Sequence, residues 1–366
     1  MIIKFLKITL ITILIFVILD FLIGKNFYKK FIRKSFVDVD TSFLIQDNIN
    51  DHKLIKNYKT NSAGWGKRRY TLCTDNNGFR SSCDNKYKGK KFDIGIIGDS
   101  FTEAVGIEYE DSYVGIISKE LNNFKVANLA VSSYSPTIYY TKIKKLLKQN
   151  YNFNEIIIFL DLSDLHDDNV CYELKNTVVK KKDGISKCHY ENYNIWEKMS
   201  LFSLRKLRLT YELFSLINSY LVSNNIKRKN IKNWVLNNPR SNWTFDYDKK
   251  QFNNLSREDA LKISLSHMNN LHNMLKENNI ELSVVIFPWP GTLKYDKKNN
   301  IHEKTWKEFC QKKCKKFYNL QETFFKTLKT KNFRDLYFEN YIDGDIHFNE
   351  NGNKIIADNF LNLYLK

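Results

Sequence analysis

The spacing of apolar residues changes character several times along the 366-residue chain. Residues 8–22 are apolar on every side of a helix, interrupted only by Thr9, Thr12 and Asp20. Extended to Phe5 and Gly24, this run reaches about 20 residues, enough to cross the hydrocarbon of a bilayer. From residue 92 onward, short apolar runs alternate with stretches of helical spacing. Residues 92–97 (FDIGII), 125–129, 155–160 (EIIIFL), 281–287 (ELSVVIF) and 316–320 read as strands. Residues 111–122 and 137–149 read as helices, Ser256 and Asp259 form a capping box ahead of a helix to 278, and a last helix starts near Asn351. Strands alternating with helices predict an α/β domain with a parallel sheet covered on both faces. Ligands on such sheets bind outside the carboxyl ends of the strands.

Between 165 and 255 the alternation stops. Residues 170–190 read as a hairpin turning at Asp183-Gly184, and 196–222 as an amphipathic helix or helix pair. This mainly helical insertion is expected over the carboxyl edge of the sheet, as a lid, a partner surface or a decoration. The organisation is then a signal anchor with a basic flank (1–34), a polar stalk (35–75), and one domain (76–366) carrying the insertion.

The flanks of the apolar run bear on topology. Lys4 and Lys7 precede it, and no small-residue cleavage site follows, which favours an uncleaved signal anchor over a removed signal peptide. Lys25, Lys29, Lys30, Arg33 and Lys34 outnumber the upstream positive charges and argue against export of the body. The six cysteines argue the other way. They fall into close pairs, Cys73 with Cys83, Cys171 with Cys188, and Cys310 with Cys314, and an even count suits an oxidising compartment. Sequence-near pairing is the simplest of the possible connectivities, with a metal site or inert buried thiols as the rival readings. The cysteines outweigh the lysines, and the body is placed outside the cytoplasm.

Composition excludes several classes. With 13 Gly, 4 Pro and 43% hydrophobic residues, the chain is neither collagen-like nor a disordered polymer. A net charge of +18 fits an acidic partner or a lysine-rich proteome, and no basic motif of a nucleic-acid module is present. No nucleic-acid partner is expected.

Two segments carry candidate chemistry. The first strand runs into Gly98-Asp99-Ser100-Phe101, placing a serine hydroxyl on a strand-to-helix turn at the carboxyl edge. Near the other terminus, Asp343-Gly344-Asp345-Ile346-His347-Phe348-Asn349 offers an imidazole with a nearby carboxylate. A serine needs such a base to become a nucleophile, and the carboxylate fixes the imidazole's tautomer. Asp345 is the expected partner of His347, with Asp343 the second candidate. The acidic group Asp161, Asp164, His166, Asp167 and Asp168 after the third strand reads as a solvated loop or a hydrogen-bonded support, and no metal is expected. Trp289, between Pro288 and Pro290 after the fourth strand, is a candidate sugar-stacking side chain, the alternative being a core aromatic.

These blocks, in this order, resemble the SGNH/GDSL hydrolases, in particular their membrane-anchored, polysaccharide-associated branch. The resemblance spans about 76–366 and rests on Asn77-Gly78-Phe79-Arg80, Gly98-Asp99-Ser100-Phe101-Thr102-Glu103, residues 128–135 (NLAVSSYS), and Asp345-Ile346-His347-Phe348-Asn349 with Gly352. It implies a flavodoxin-like three-layer sandwich with a five-stranded parallel sheet and no cofactor. It also implies a serine esterase, or an O-acyltransferase using the same site, acting on ester groups of an envelope glycan. Ser100, His347 and Asp345 would be catalytic. The oxyanion would be held by Ser100, Ser133 and Ser163, with Asp164 and Trp289 at the substrate pocket. The family's third block carries an Asn, where this chain has Asp161-Leu162-Ser163-Asp164. A catalytically degenerate glycan-binding or scaffold protein is therefore the alternative.

Overall fold

The computed structural model describes residues 2–27, 39–66, 68–85, 87–182, 207, 209–210, 213, 230–296 and 300–366. The chain forms two compact units, one made of 1–38 with 191–230 and one of 39–190 with 231–366.

In the first unit, Ile2–Leu19 is an α-helix continued by a π-helical turn, Asp20–Gly24. The window Lys7–Gly24 has mean hydropathy 2.4, and the helix is long and apolar enough to cross a membrane. Its leucines and isoleucines from Ile8 to Leu19 face outward, as a lipid-facing helix requires. Asp20 is the exception. It is buried, and its carboxylate accepts from the Leu209 and Thr210 N–H groups at 3.0 and 2.7 Å and from the Thr210 hydroxyl at 2.7 Å. A carboxylate in an apolar helix is costly unless paired, and here backbone donors supply the pairing. The helix expected at 196–222 and the turn at Asp183-Gly184 lie almost wholly outside the described residues.

The second unit is built on strands numbered in chain order. Strands β1 (Leu44–Asp47) and β2 (Asp51–Leu54) form an antiparallel hairpin. Then come β3 (Lys59–Trp65), β4 (Arg68–Thr74), β5 (Arg80–Ser81), β6 (Lys91–Ile97), β7 (Val126–Asn128) and β8 (Asn152–Leu160). A second hairpin pairs β9 (Tyr172–Lys175) with β10 (Val178–Lys181), and β11 (Glu281–Ile286) and β12 (Lys316–Asn319) complete the set. The main sheet has the order β12-β11-β8-β6-β7-β5-β4-β3. Strands β12, β11, β8, β6 and β7 pair in parallel and β5, β4 and β3 antiparallel. Counted from β6, the parallel part runs 2-1-3-4-5, the flavodoxin-like order.

The core of this sheet is the near-continuous apolar text of its strands. Ile94, Ile96, Ile97, Ile156, Ile157, Ile158, Val284, Val285 and Ile286 are fully buried, as expected of parallel strands covered on both faces. The helix Arg257–Glu277 starts where predicted, Ser256 Oγ accepting from Asp259 N at 3.0 Å. The last helix, Glu350–Tyr364, is capped by Asn349, two residues before the expected start.

One expectation changes. The stalk at 35–75 is not a stalk: β1 to β4 lie within it, and two of its strands extend the main sheet. A hairpin after β8 turns at Asn176-Thr177, both with positive φ (49° and 70°), and the expected turn at Asp183-Gly184 lies outside the described residues. Two left-handed residues match the twist of paired strands, and Asn tolerates that region well. The described end of the insertion consists of short helical segments, Asn233–Leu236, Asn242–Thr244 and Lys249–Phe252. The expected disulfides Cys73–Cys83 and Cys310–Cys314 are present, whereas Cys188 lies outside the described residues.

Candidate active site

Strand β6 delivers Ser100 to the carboxyl edge through a turn that only glycine fits at position 98. A Cβ there would stand 2.0 Å from Thr102 Oγ1 and 2.9 Å from Phe159 O. Asp99 caps the short helix Ser100–Glu103 by accepting from Phe101 N at 3.0 Å. The helix ends at Ala104, held at φ 67°. Arg80, from β5, fixes that end. Buried at 1% exposure, it donates Nη1 to the carbonyls of Glu103 and Ala104 and Nη2 to Ile107 O at 2.5 Å. The Asn-Gly-Phe-Arg segment thus has a physical role: its guanidinium satisfies three carbonyls where the serine's helix stops.

His347 comes from a tight loop after the helix Phe333–Asn340. Ile342 N donates to His347 O at 2.8 Å and Asp345 N to Ile342 O at 2.9 Å, closing the loop. Asp345 Oδ1 accepts from His347 N at 3.0 Å and lies 2.6 Å from His347 Nδ1. One carboxylate oxygen therefore holds both the backbone and the ring of a residue two positions on, which is what the short spacing makes possible. On the other side of the ring, His347 Nε2 lies 2.9 Å from Ser100 Oγ across 247 residues of sequence. Ser100, His347 and Asp345 form one hydrogen-bonded chain. Asp343 is not its carboxylate.

Two further side chains complete the surroundings. Trp65, at the end of β3, donates Nε1 to Asp345 Oδ2 at 3.0 Å, and its ring stands edge-on to His347 with centroids 4.9 Å apart. Phe101 packs on the imidazole at 4.4 Å. Burial by itself would raise the Asp345 carboxyl, but the charge and hydrogen bonds of His347 and the Trp65 N–H bring it down to about 2. Asp345 is thus kept ionised to orient an imidazole and stabilise its protonated form.

Beneath Ser100 the charge is arranged differently. Asp99 Oδ2 also lies 3.0 Å from Ser100 Oγ. Asp99, Asp161 and Asp164 are all at most 2% exposed, with carboxylate oxygens within 4.8 Å of one another. Burial, reinforced by Asp161, pushes Asp99 and Asp164 well above the ordinary carboxylate range, and burial raises Asp161 as well. Three negative charges in so small a dry volume are not sustainable, so the group holds protons. Of the two readings of the acidic group, the solvated loop is corrected and the hydrogen-bonded support remains: Asp161, Asp164, His166, Asp167 and Asp168 are all buried. Arg240, in the insertion, pairs with both Asp167 oxygens at 2.8 and 2.6 Å.

The remaining sequence candidates divide. Ser133 follows β7 and sits at φ 61°. Among the described residues, neither its N–H nor that of Ser100 donates to a protein acceptor. Ser163 faces inward: its N–H donates to Asp161 Oδ1 at 2.5 Å. Trp289 is buried and donates Nε1 to Asp161 Oδ2 at 2.8 Å, so it supports the acidic group rather than offering a sugar platform. Asp164 is likewise buried, accepting from Tyr139 Oη at 2.9 Å and Asp161 N at 3.1 Å, and it is not part of the crevice at Ser100. What does open at Ser100 is a small crevice lined by Ser100, Ala104, Val105, Ile107, His347 and Phe348 among others. Sequence reasoning missed Trp65 and the Asp99 contact, and neither Trp65 nor its strand carries a local signal of this role.

No family model and no curated protein matches the chain. Among solved structures, it is similar to Axe2, an acetylxylan esterase from Geobacillus stearothermophilus, at 12% identity and TM-score 0.40, covering 75% of this chain and 94% of that one. It is also similar to a putative lipolytic protein of the G-D-S-L family from Desulfitobacterium hafniense DCB-2, at 11% identity and TM-score 0.38, covering 75% and 99%. A third is the psychrotrophic esterase EstA from Pseudoalteromonas sp., at 11% identity and TM-score 0.36, covering 76% and 99%. With its motif blocks, its flavodoxin-like strand order and a serine, histidine and aspartate meeting at the sheet's carboxyl edge, the chain is similar to the SGNH/GDSL hydrolases.

Proposed function

We propose that this protein is a membrane-anchored serine esterase of the SGNH/GDSL type, with its body outside the cytoplasm, acting on short acyl esters of an envelope glycan. The observation that carries the reading is the continuous chain from Ser100 Oγ to His347 Nε2 at 2.9 Å and from His347 Nδ1 to Asp345 at 2.6 Å. Ser100 Oγ attacks the ester carbonyl carbon while His347 takes its proton, and the carbonyl oxygen becomes an oxyanion facing the N–H groups of Ser100 and Ser133. Collapse breaks the ester C–O bond, and His347 returns the proton to the departing sugar hydroxyl. Water then attacks the acyl-serine by the same route. A second sugar hydroxyl in place of water makes the reaction an acyl transfer.

The crevice supports an acetyl-sized acyl group, because Val105, Ile107 and Phe348 close the space beside Ser100. The apolar N-terminal helix supports anchoring, and the two disulfides support an oxidising compartment. The test is turnover of 4-nitrophenyl acetate. Ser100→Ala is expected to lower kcat by at least about 10³-fold, and undiminished turnover removes the mechanism. A second reading, a glycan-binding scaffold without catalysis, draws on the commitment of Ser163 N–H to Asp161 where relatives place an Asn donor. Failure of a fluorophosphonate probe to label Ser100 would favour it.

A further inference from the structure

Ser132, whose carbonyl belongs to the peptide leading into Ser133, is held from both sides by residues outside the catalytic chain. On one side, Glu103, from the helix that begins with Ser100 and only 1% exposed, accepts from Ser132 N at 2.6 Å and Ser132 Oγ at 2.8 Å. On the other side stands His52, on β2 and 80 residues away. Its Nε2 lies 2.7 Å from Ser132 O, and its Nδ1 lies 2.8 Å from Asp51 Oδ2. Tyr134 Oη locks the same strand by donating to His52 O at 2.8 Å, and the two rings pack at 5.2 Å.

The chemistry of these contacts is restrictive. A backbone carbonyl only accepts. Asp51 also only accepts: although burial would raise its carboxyl, the His52 hydrogen bond and the Lys181 charge, 3.3 Å away, hold it below the ordinary range. Both ring nitrogens of His52 therefore carry hydrogens when both contacts are made. The Ser132 carbonyl then faces a cationic donor. In a planar trans peptide the N–H points opposite to the C=O, so fixing Ser132 O fixes the direction of Ser133 N–H. Drawing electron density toward the carbonyl oxygen also strengthens that N–H as a donor. Ser133 is a non-glycine residue at φ 61°, a conformation that persists only where its surroundings enforce it.

We propose that His52, oriented by Asp51, is a positioning residue for the oxyanion-binding peptide: by donating to Ser132 O it aligns and polarises Ser133 N–H toward the oxygen that becomes negative when Ser100 attacks. This inference rests on the esterase reading above. It brings the leading segment of the chain into the reaction without contact between His52 and the substrate.

The test compares His52→Ala and His52→Gln with the unaltered full chain on 4-nitrophenyl acetate, with Ser100→Ala in parallel. A transition-state donor lost from alignment lowers kcat and leaves KM nearly unchanged. His52→Ala is expected to lose about 10²-fold in kcat, the effect of one oxyanion donor. His52→Gln keeps a neutral donor and is expected to recover most of that loss while remaining severalfold below the unaltered chain, with KM within about twofold. Equal losses in the two variants, a change confined to KM, or unaltered kcat in His52→Ala would overturn the proposal. Should His52→Ala not fold, the glutamine variant decides alone: a severalfold lower kcat at unchanged KM supports it, and unaltered kcat overturns it. If Ser100→Ala retains full turnover, the esterase reading fails and this inference with it. If Ser100→Ala is inactive and the His52 variants are unaltered, only this inference fails.

Discussion

At the scale of single residues, neighbouring carboxylates serve opposite ends. Asp345 touches His347 and the Trp65 N–H and stays ionised, whereas Asp99, one residue before Ser100, is fully buried beside Asp161 and holds its proton. The Asp99 carboxyl is raised in the folded state, so the stability it contributes is present below the ordinary carboxylate pKa of about 3.9 and lost as pH rises through the raised value. Asp99→Asn keeps the cap on Phe101 N and removes the titration. The variant is expected to gain melting temperature over the unaltered protein as pH goes from about 4 to 8, as read by calorimetry. A constant difference across that range would show that Asp99 is not protonated in the fold. The serine, histidine and aspartate were legible in the sequence because each stands in a short block with a turn residue beside it. The dihedral of Ser133 was not, since a serine gives no sign of the left-handed region that a glycine would announce.

At the scale of elements, the serine's helix is four residues long and cannot hold itself in place. Arg80 does much of that work, and Arg80→Ala leaves three buried carbonyls without their donor. A loss of about 3–5 kcal/mol is expected in urea unfolding. Arg80→Lys is expected to recover only part of it, because one ammonium cannot match the planar fork. A loss below about 1 kcal/mol would show that the carbonyls find other partners. The parallel strands were legible from their apolar runs, whereas β2 (DHKL) and β3 (KTNSAGW) were not. Both carry mostly polar residues with no strict alternation, so the period of a strand is weak in them. The same weakness hid the turn at Asn176-Thr177, where Asp183-Gly184 carried the stronger local signal.

At the scale of the whole molecule, one apolar helix and one α/β body share a chain of net charge +18. If the helix spans a bilayer, the full chain should sediment with membranes, resist release by high salt and carbonate, and come free in detergent. Release by salt alone would reduce the association to charge. The buried Asp20 and its donors at Leu209 and Thr210 tie the insertion to the N-terminal helix. That link joins two regions nearly 200 residues apart, and no local pattern in either segment announces it.

The three antiparallel strands beside β7 have a practical consequence. Anyone trimming the gene to its recognisable blocks would begin the protein near residue 76 and discard β1 to β4. That fragment would keep the serine, the histidine and the aspartate. It would lose the indole that steadies the aspartate and the imidazole behind the Ser132 carbonyl. It would also leave raw sheet edge where β4 now lies, an invitation to aggregate. Domain boundaries drawn from the motif blocks alone would therefore cut away part of the sheet and two of the side chains that brace the site.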